Sequence, residues 1–247
     1  MTYCVGLRLN SGLIMLSDTR TNAGLDNISV YRKMFTFEVP GERAMVLLTA
    51  GNLSITQTVI AKLRHAIGDE EAEERSILRA ESMLDVAETI GSILNRVSVE
   101  INLKMGSMSQ SATASMLLAG QRKGGSPRLF LIYQEGNFIE ATADTPYLQI
   151  GEHKYGKPIL DRVVSPETSL EDGRKAVLLS MDSTLRSNLS VGMPLDLAVI
   201  ETDQYCINSV ERIEAGDPHF SAMSDAWSQV LREGFASLPQ QQGCWAE

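Results

Sequence analysis

The second residue of the chain is Thr2, a residue type that acts as a nucleophile without a partner histidine when it stands at an N-terminus. We expect Met1 to be removed, because aminopeptidases accept a small second residue. The Thr2 hydroxyl is then the nucleophile, and the α-amine of the same residue accepts its proton. A free α-amine has a pKa of about 7.7–8, which suits a base that works near neutral pH. Thr2 is therefore the first candidate for a catalytic residue.

Three further residues have the chemistry to assist Thr2. Asp18 follows the second strand pattern, and Lys33 precedes the third. An ammonium group near the threonine favours the deprotonated hydroxyl and amine, and a carboxylate beside that ammonium stabilises and orients it. Gly51 ends a fourth strand pattern, where its N–H is a candidate oxyanion donor and its missing side chain admits a substrate carbonyl. Taken singly, each residue also has an ordinary explanation as a small second residue, a turn residue, an exposed strand start or a turn glycine.

No other catalytic motif competes with this set. The three histidines, His65, His153 and His219, do not stand beside a serine or cysteine in a known arrangement. The chain also lacks a GxSxG elbow, an HExxH helix, a Walker loop and a GxGxxG turn. We therefore expect neither a metal ion nor a cofactor.

The composition excludes several classes of protein. With 247 residues, 43% hydrophobic and 21% charged, the chain is of ordinary globular type. Its net charge of −9 argues against binding to nucleic acid through phosphates. No apolar run approaches the roughly 20 residues that span a bilayer, so no membrane association is expected. The three cysteines form no CxxC pair and the N-terminus has no secretory pattern, which favours a reducing, cytoplasmic location.

The order of predicted elements indicates the architecture. Strand patterns cover 3–9, 13–16, 34–39 and 44–50, and two helices with apolar stripes follow over 55–67 and 84–101. The remaining strand patterns cover 113–119, 128–133, 138–141, 147–150, 195–201 and 205–211. A helix capped by Ser169 and Asp172 has the stripe Leu178, Met181, Leu185 and Leu189, and a terminal helix begins near Phe220. Runs of strands between helix pairs favour two packed antiparallel sheets covered by helices. We expect one domain over 1–238 and a flexible tail over 239–247.

Together these residues resemble the proteasome β-subunit family of N-terminal-nucleophile hydrolases. The matching segments are TxxVG at 2–6, SDTR at 17–20, KMF at 33–35, TAG at 49–51 and VGMPLDLAVI at 191–200. Within that family the chain looks most like the bacterial branch called Anbu, the ancestral β subunit. That likeness is carried by DTRTNAG at 18–24, IGEHKYGKPILDR at 150–162 and SNLSVG at 187–192. The resemblance covers roughly residues 2 to 235 and depends on the order of the segments.

The resemblance implies an α+β fold, a four-layer αββα sandwich, and peptide hydrolysis through an acyl-enzyme. It gives Thr2 the roles of nucleophile and base, while Lys33 lowers the pKa of the attacking group and Asp18 orients Lys33. The Gly51 N–H contributes to the oxyanion hole. The residues implied to line the pocket for the side chain before the cut are uncharged, which predicts a neutral or apolar preference: Thr21, Tyr31, Thr49 and Leu53.

The chain departs from the family pattern at two places. Family members usually place a serine after the glycine, where this chain has Gly151 and Glu152. A carboxylate near the amine raises its pKa. They also carry an Asp and a Ser near the end of a late helix, where this chain aligns Asn188 and Val191, with Ser190 as a substitute. The fold and the nucleophile with its charged pair are therefore better supported than efficient peptidase activity.

Three functions stay open. The first is a cytoplasmic threonine endopeptidase that self-assembles into a ring or an open helical stack and cleaves peptides or unfolded proteins. A proteolytic chamber often needs an ATPase unfoldase, although the sequence identifies none. The second is a self-assembling scaffold or peptide-binding shell with a weak or inactive site, and the third is a small-amide hydrolase. The joint presence of Thr2, Asp18 and Lys33 favours an enzyme, and the neutral pocket argues against small amides, which need charged anchors.

Overall fold

The computed structural model of the chain describes residues 2–22, 28–69, 71–106 and 112–239. Residues up to Ala215 form one compact unit, and residues from Gly216 onward form a second. The single domain over 1–238 stays a prediction. The tail expected over 239–247 and the removal of Met1 fall almost wholly outside the described residues.

The first sheet of the larger unit positions Thr2. Its five antiparallel strands lie in the order β10 (Tyr147–Gly151), β1 (Tyr3–Leu9), β2 (Gly12–Asp18), β11 (Leu195–Glu201) and β12 (Ser209–Ile213). Tyr3 pairs with Gly151, and Cys4 pairs with Ser17. The start of β1 and the ends of its two neighbours therefore meet at one end of the sheet.

The second sheet brings Lys33 and Gly51 to the same region. Its five antiparallel strands lie in the order β5 (Met34–Val39), β6 (Arg43–Gly51), β7 (Ala114–Arg122), β8 (Arg128–Ile132) and β9 (Phe138–Glu140). A separate short hairpin is formed by β3 (Arg20–Asn22) and β4 (Ile28–Val30). Because Lys33 precedes β5 and Gly51 ends β6, antiparallel pairing places the two residues at the same end of the sheet.

Two apolar layers hold the sheets and helices together. Between the sheets, Met15 and Leu148 pack in one cluster with Val46 and Leu117. On the outer face of the second sheet, helices α1 (Leu53–Gly68) and α2 (Met83–Lys104) bury their apolar stripes in a second cluster.

The opposite outer face is covered by α4 (Leu170–Ser187), with α3 (Lys157–Val163) beside it. A β-carbon at Gly173 of α4 would lie within 3.4 Å of Leu7, Leu9 and Ile14. The layers therefore follow the order helix, sheet, sheet, helix, which confirms the expected αββα sandwich.

The helix starts follow from side-chain caps. Asn52, Ser82 and Ser169 each accept a hydrogen bond from the backbone N–H three residues later, at 3.2, 3.1 and 3.1 Å. Each cap satisfies a donor that the first turn leaves without a partner. The expected Ser169–Asp172 cap is confirmed.

Two sequence predictions were wrong in detail. Leu189 was placed on the stripe of α4, but the helix ends at Ser187 and Leu189 is 87% exposed. The strand expected from 205 begins at Ser209, because Asp203 and Tyr205 have positive φ angles of 66° and 50° and belong to a turn.

The second unit contains the expected terminal helix, α5 (Pro218–Ser237). Asp217 caps it by accepting a hydrogen bond from the Phe220 N–H at 2.8 Å, and Pro218 occupies the first turn, where a missing N–H costs nothing. No helix in the described ranges is long and apolar enough to cross a membrane.

Candidate active site

Thr2 lies directly before β1, and its backbone is held by the end of β10, the neighbouring strand at the edge of the sheet. It is 8% exposed, and its carbonyl accepts a hydrogen bond from the Glu152 N–H at 2.8 Å. Gly151 makes this approach possible: its φ is +81°, and a β-carbon there would lie 1.9 Å from the Thr2 carbonyl oxygen. The Gly151-Glu152 pair therefore fixes the backbone of Thr2.

Asp18 and Lys33 form a buried ion pair next to Thr2 in the fold. Lys33 Nζ donates to Asp18 Oδ1 at 2.7 Å and to the carbonyl of Arg20 at 2.6 Å. Asp18 is 0% exposed and Lys33 5%. The Tyr3 N–H also donates to Asp18 Oδ1 at 3.2 Å, which links the carboxylate to the peptide that follows Thr2. The predicted pair is thus in contact, and it is bonded to Tyr3, the residue directly after the candidate nucleophile.

The electrostatics of Asp18 depend on Lys33. Burial raises the pKa of the Asp18 carboxyl above its ordinary value, while the Lys33 ammonium and the N–H groups of Tyr3 and Gly192 favour the ionised form. Three donors thus replace the water that a carboxylate normally binds. Lys33 contributes most to the stabilisation of the charged carboxylate, and the short contact between the two groups positions both side chains.

A cleft of about 380 Å³ opens at this end of the two sheets. Its lining residues come from strands of both sheets and the residues that flank them, from the short hairpin and from α1: Thr2, Thr21, Arg32, Lys33, Thr49, Ala50, Gly51, Leu53, Thr56, Gly151 and Glu152. The structure therefore brings together the candidate nucleophile, the lysine and the candidate oxyanion glycine around one space.

Three of the four residues predicted to bind substrate lie on this cleft: Thr21, Thr49 and Leu53. Tyr31 is not among the described lining residues. Its backbone N–H donates to the Thr19 carbonyl at 2.9 Å, its side chain is 38% exposed, and the next residue, Arg32, lines the cleft. The cleft is consequently more charged than the sequence indicated.

Gly51 is held in a conformation that only glycine adopts easily. Its φ is +104°, and a β-carbon would lie 2.2 Å from the Thr113 carbonyl oxygen. The sequence identified this glycine, and the adjacent strand gives the physical reason for it.

The loop after α4 reaches the site through its backbone. Gly192 N–H donates to Asp18 Oδ2 at 3.3 Å. Asn188 caps α4 and its Oδ1 accepts from the Ser190 N–H at 2.9 Å, while Val191 is buried. At this departure from the family pattern, the Asn188 side chain is thus hydrogen-bonded within the loop and the Val191 side chain is buried.

Arg20 was missed as a residue that shapes this loop. Its Nη1 donates to the Leu189 carbonyl at 2.9 Å, and a β-carbon at Gly192 would lie 2.2 Å from its Nε. The signal was present in the sequence, since Gly192 and Arg20 both lie in the matching segments, but no spacing rule joins residues so far apart.

Tyr3 anchors the start of β1 beneath the cleft. Gln149 Nε2 donates to its hydroxyl at 2.5 Å, and the hydroxyl lies 2.6 Å from Ser180 Oγ on α4. Burial raises the pKa of the Tyr3 phenol, so the group stays neutral and hydrogen-bonded. Within the described ranges, no group of three or more His, Cys, Asp or Glu side chains is arranged to hold a metal ion.

Comparison with known proteins agrees with this geometry. The family model described as Proteasome subunit matches residues 2–200. The structure titled as Anbu (ancestral beta-subunit) from Yersinia bercovieri is 45% identical, with a TM-score of 0.89 and coverage of 98% of this chain and 100% of that chain. The structure titled as a helical assembly of the Anbu complex from Pseudomonas aeruginosa is 42% identical, with a TM-score of 0.91 and coverage of 99% and 100%. No curated protein sequence matched the chain.

The family match, the structural likeness over nearly the whole chain and the αββα layers agree with one another. The chain therefore belongs to the proteasome subunit family, in its Anbu branch.

Proposed function

We propose that the chain is a self-assembling threonine peptidase whose nucleophile is Thr2, exposed once Met1 is removed. The observation that carries this proposal is the single cleft lined by Thr2, Lys33 and Gly51, with Lys33 fixed by the buried Asp18. A scaffold has no need for a buried ion pair at that position, since two charges in a core are costly to desolvate.

The reaction begins with attack of Thr2 Oγ on the carbonyl carbon of a peptide bond, while the hydroxyl proton moves to the free α-amine. The ammonium of Lys33 favours the deprotonated forms of both groups. The Gly51 N–H stabilises the negative oxygen of the tetrahedral intermediate. The protonated amine then gives its proton to the leaving amine as the carbon–nitrogen bond breaks, and water hydrolyses the resulting ester.

Assembly is supported by the relatives. The Pseudomonas aeruginosa structure is titled as a helical assembly, and this chain covers all of it at 42% identity. We infer that copies of this chain associate head to tail, which yields a ring if the rotation closes and an open helix if it does not.

A small-amide hydrolase is the second candidate, and the charged lining residues favour it. Arg32 and Glu152 both line the cleft, and together they provide the charged anchors that a small substrate needs. The two candidates share the nucleophile and differ in the length of substrate that they accept.

Steady-state hydrolysis tests both candidates. Fluorogenic peptides of four residues and single amino-acid amides are compared on the wild type, Thr2→Ala and Thr2→Ser. The peptidase predicts activity on the longer substrates that Thr2→Ala loses and Thr2→Ser keeps in part. Activity confined to the single amides would support the second candidate. If Met1 is removed and neither kind of substrate is cleaved, a scaffold is the function that remains.

A further inference from the structure

The cleft beside Thr2 carries one positive charge that nothing in the described residues neutralises. Four charged side chains belong to its surroundings: Asp18, Lys33, Arg32 and Glu152. Lys33 and Asp18 pair at 2.7 Å and are both buried, so their charges cancel at short range.

Glu152 is also accompanied by an opposite charge. Lys154 Nζ lies 3.7 Å from Glu152 Oε2, and the Glu152 side chain is only 16% exposed. Its carboxylate thus faces a nearby ammonium, although the lysine itself is largely in solvent.

Arg32 differs from the other three. It is exposed, it lines the cleft, and no hydrogen bond or ion pair joins it to another residue of the described ranges. A guanidinium has five N–H donors in a planar fork that matches a carboxylate. An arginine without a protein partner at the edge of a reaction cleft is suited to bind a group on the substrate.

We propose that Arg32 gives the cleft a preference for substrates with a carboxylate side chain directly before the bond that is cut. The inference rests on the proposed function and replaces the neutral preference that Thr21, Tyr31, Thr49 and Leu53 indicated. Arg32 does not take part in the bond changes; it binds the acidic side chain and so raises the fraction of encounters that place the carbonyl at Thr2.

The test compares electrophilic peptides that differ only in the side chain of the residue directly before the electrophile. Two peptide epoxyketones are identical except for Glu or Gln at the residue before the electrophile, and a third carries Lys. The second-order rate of adduct formation is followed by intact mass on the assembled wild-type protein. A charge-assisted hydrogen bond in a part-exposed cleft predicts a Glu to Gln rate ratio of about five to ten.

Variants of Arg32 isolate its contribution. Arg32→Gln is expected to bring the Glu to Gln ratio to about one, and Arg32→Lys to keep an intermediate ratio, because the charge remains without the fork. Arg75→Gln is the matched control, because Arg75 is exposed and lies outside the cleft. Its replacement changes the net charge by the same amount as Arg32→Gln. It should retain the wild-type ratio. The ratio should also fall in 1 M salt, where the Debye length is about 3 Å.

Different failures have different meanings. A wild-type protein that reacts equally with Glu and Gln, or an Arg32→Gln variant that keeps the preference, overturns the inference and leaves the peptidase intact. The fastest reaction with the Lys probe would also overturn the inference, because it would show that the Glu152 carboxylate sets the charge preference of the cleft. No adduct with any probe refutes the proposed function, and this inference falls with it.

Discussion

The pair of Lys33 and Asp18 offers the sharpest test of how the site is held. In Lys33→Met the ammonium that donates to Asp18 at 2.7 Å is lost, while a chain of similar length fills the space. Asp18, which is 0% exposed, then keeps only the N–H groups of Tyr3 at 3.2 Å and Gly192 at 3.3 Å. The variant therefore leaves a buried carboxylate without its counter-charge.

The magnitude follows from the burial and the remaining donors. Removing one partner of a buried ion pair costs about 3–5 kcal/mol. Because two backbone donors stay with Asp18, we expect the lower end, about 3 kcal/mol at pH 8. For a protein of this size each kcal/mol lowers the melting temperature by about 2–4 °C, which predicts a decrease of about 6–12 °C.

The effect also has a predicted dependence on pH. Burial raises the pKa of the Asp18 carboxyl in the folded state even beside Lys33, and loss of the ammonium should raise it further above the unfolded value of about 3.9. A raised pKa in the folded state means that stability is lost as the pH rises from the unfolded to the folded value. The deficit of Lys33→Met should therefore be small below about pH 4 and largest at neutral and alkaline pH.

Thermal and urea unfolding at several pH values measure this deficit. Lys104→Met serves as the control, since its ammonium is 71% exposed and pairs with Glu100 on the surface of α2. It should change stability by less than about 0.5 kcal/mol. The double variant Asp18→Asn, Lys33→Met should be more stable than Lys33→Met at pH 8, because the buried charge is gone. A Lys33→Met protein as stable as Lys104→Met at pH 8 would refute this account of the pair.

Three further predictions concern the surroundings of Thr2. Glu152→Gln removes a carboxylate from the cleft, lowers the pKa of the α-amine, and should shift the acid limb of the pH–rate profile down by about half to one unit. Gly151→Ala should cost more than about 3 kcal/mol in urea unfolding, since its β-carbon meets the Thr2 carbonyl at 1.9 Å, whereas Gly124→Ala, with a similar φ of +83° and open space, should cost about 1–2 kcal/mol. Equal costs would contradict the close approach. Tyr3→Phe removes a partner from the buried Ser180 hydroxyl and from the half-buried Gln149 amide, and should cost about 1–2 kcal/mol with an unchanged rate of adduct formation.

The layers of the fold were predictable because the apolar patterns are strong. The stripes of α1 and α2 match the face that each helix buries. The alternation of β1 predicted a strand but not its environment, because six of its seven residues are buried and both of its faces are therefore covered. The end of α4 was not predictable from its stripe, since Leu189 continues the spacing while Asn188 ends the helix. Apolar spacing reports which face is buried and does not report where a cap interrupts the helix.

The candidate site was predictable in its centre and less so at its edges. Asp18 and Lys33 lie at strand ends whose pairing partners follow from the element order, so their meeting could be anticipated. Arg32 and Gly192 depend on the path of loops, and the angle at which a loop presents a side chain is set by contacts with distant residues. The Gly192 N–H reaches Asp18 across 174 positions of the chain, and no local pattern encodes that bond.

The most direct test of the central claim is the intact mass of the native protein before and after incubation with a peptide epoxyketone. This probe requires both a threonine hydroxyl and a free α-amine on the same residue. The account predicts a chain without Met1 that gains one adduct, and no adduct on Thr2→Ala. A chain that retains Met1, or one that begins with Thr2 and takes no adduct, would contradict the claim that Thr2 is the nucleophile of a working site.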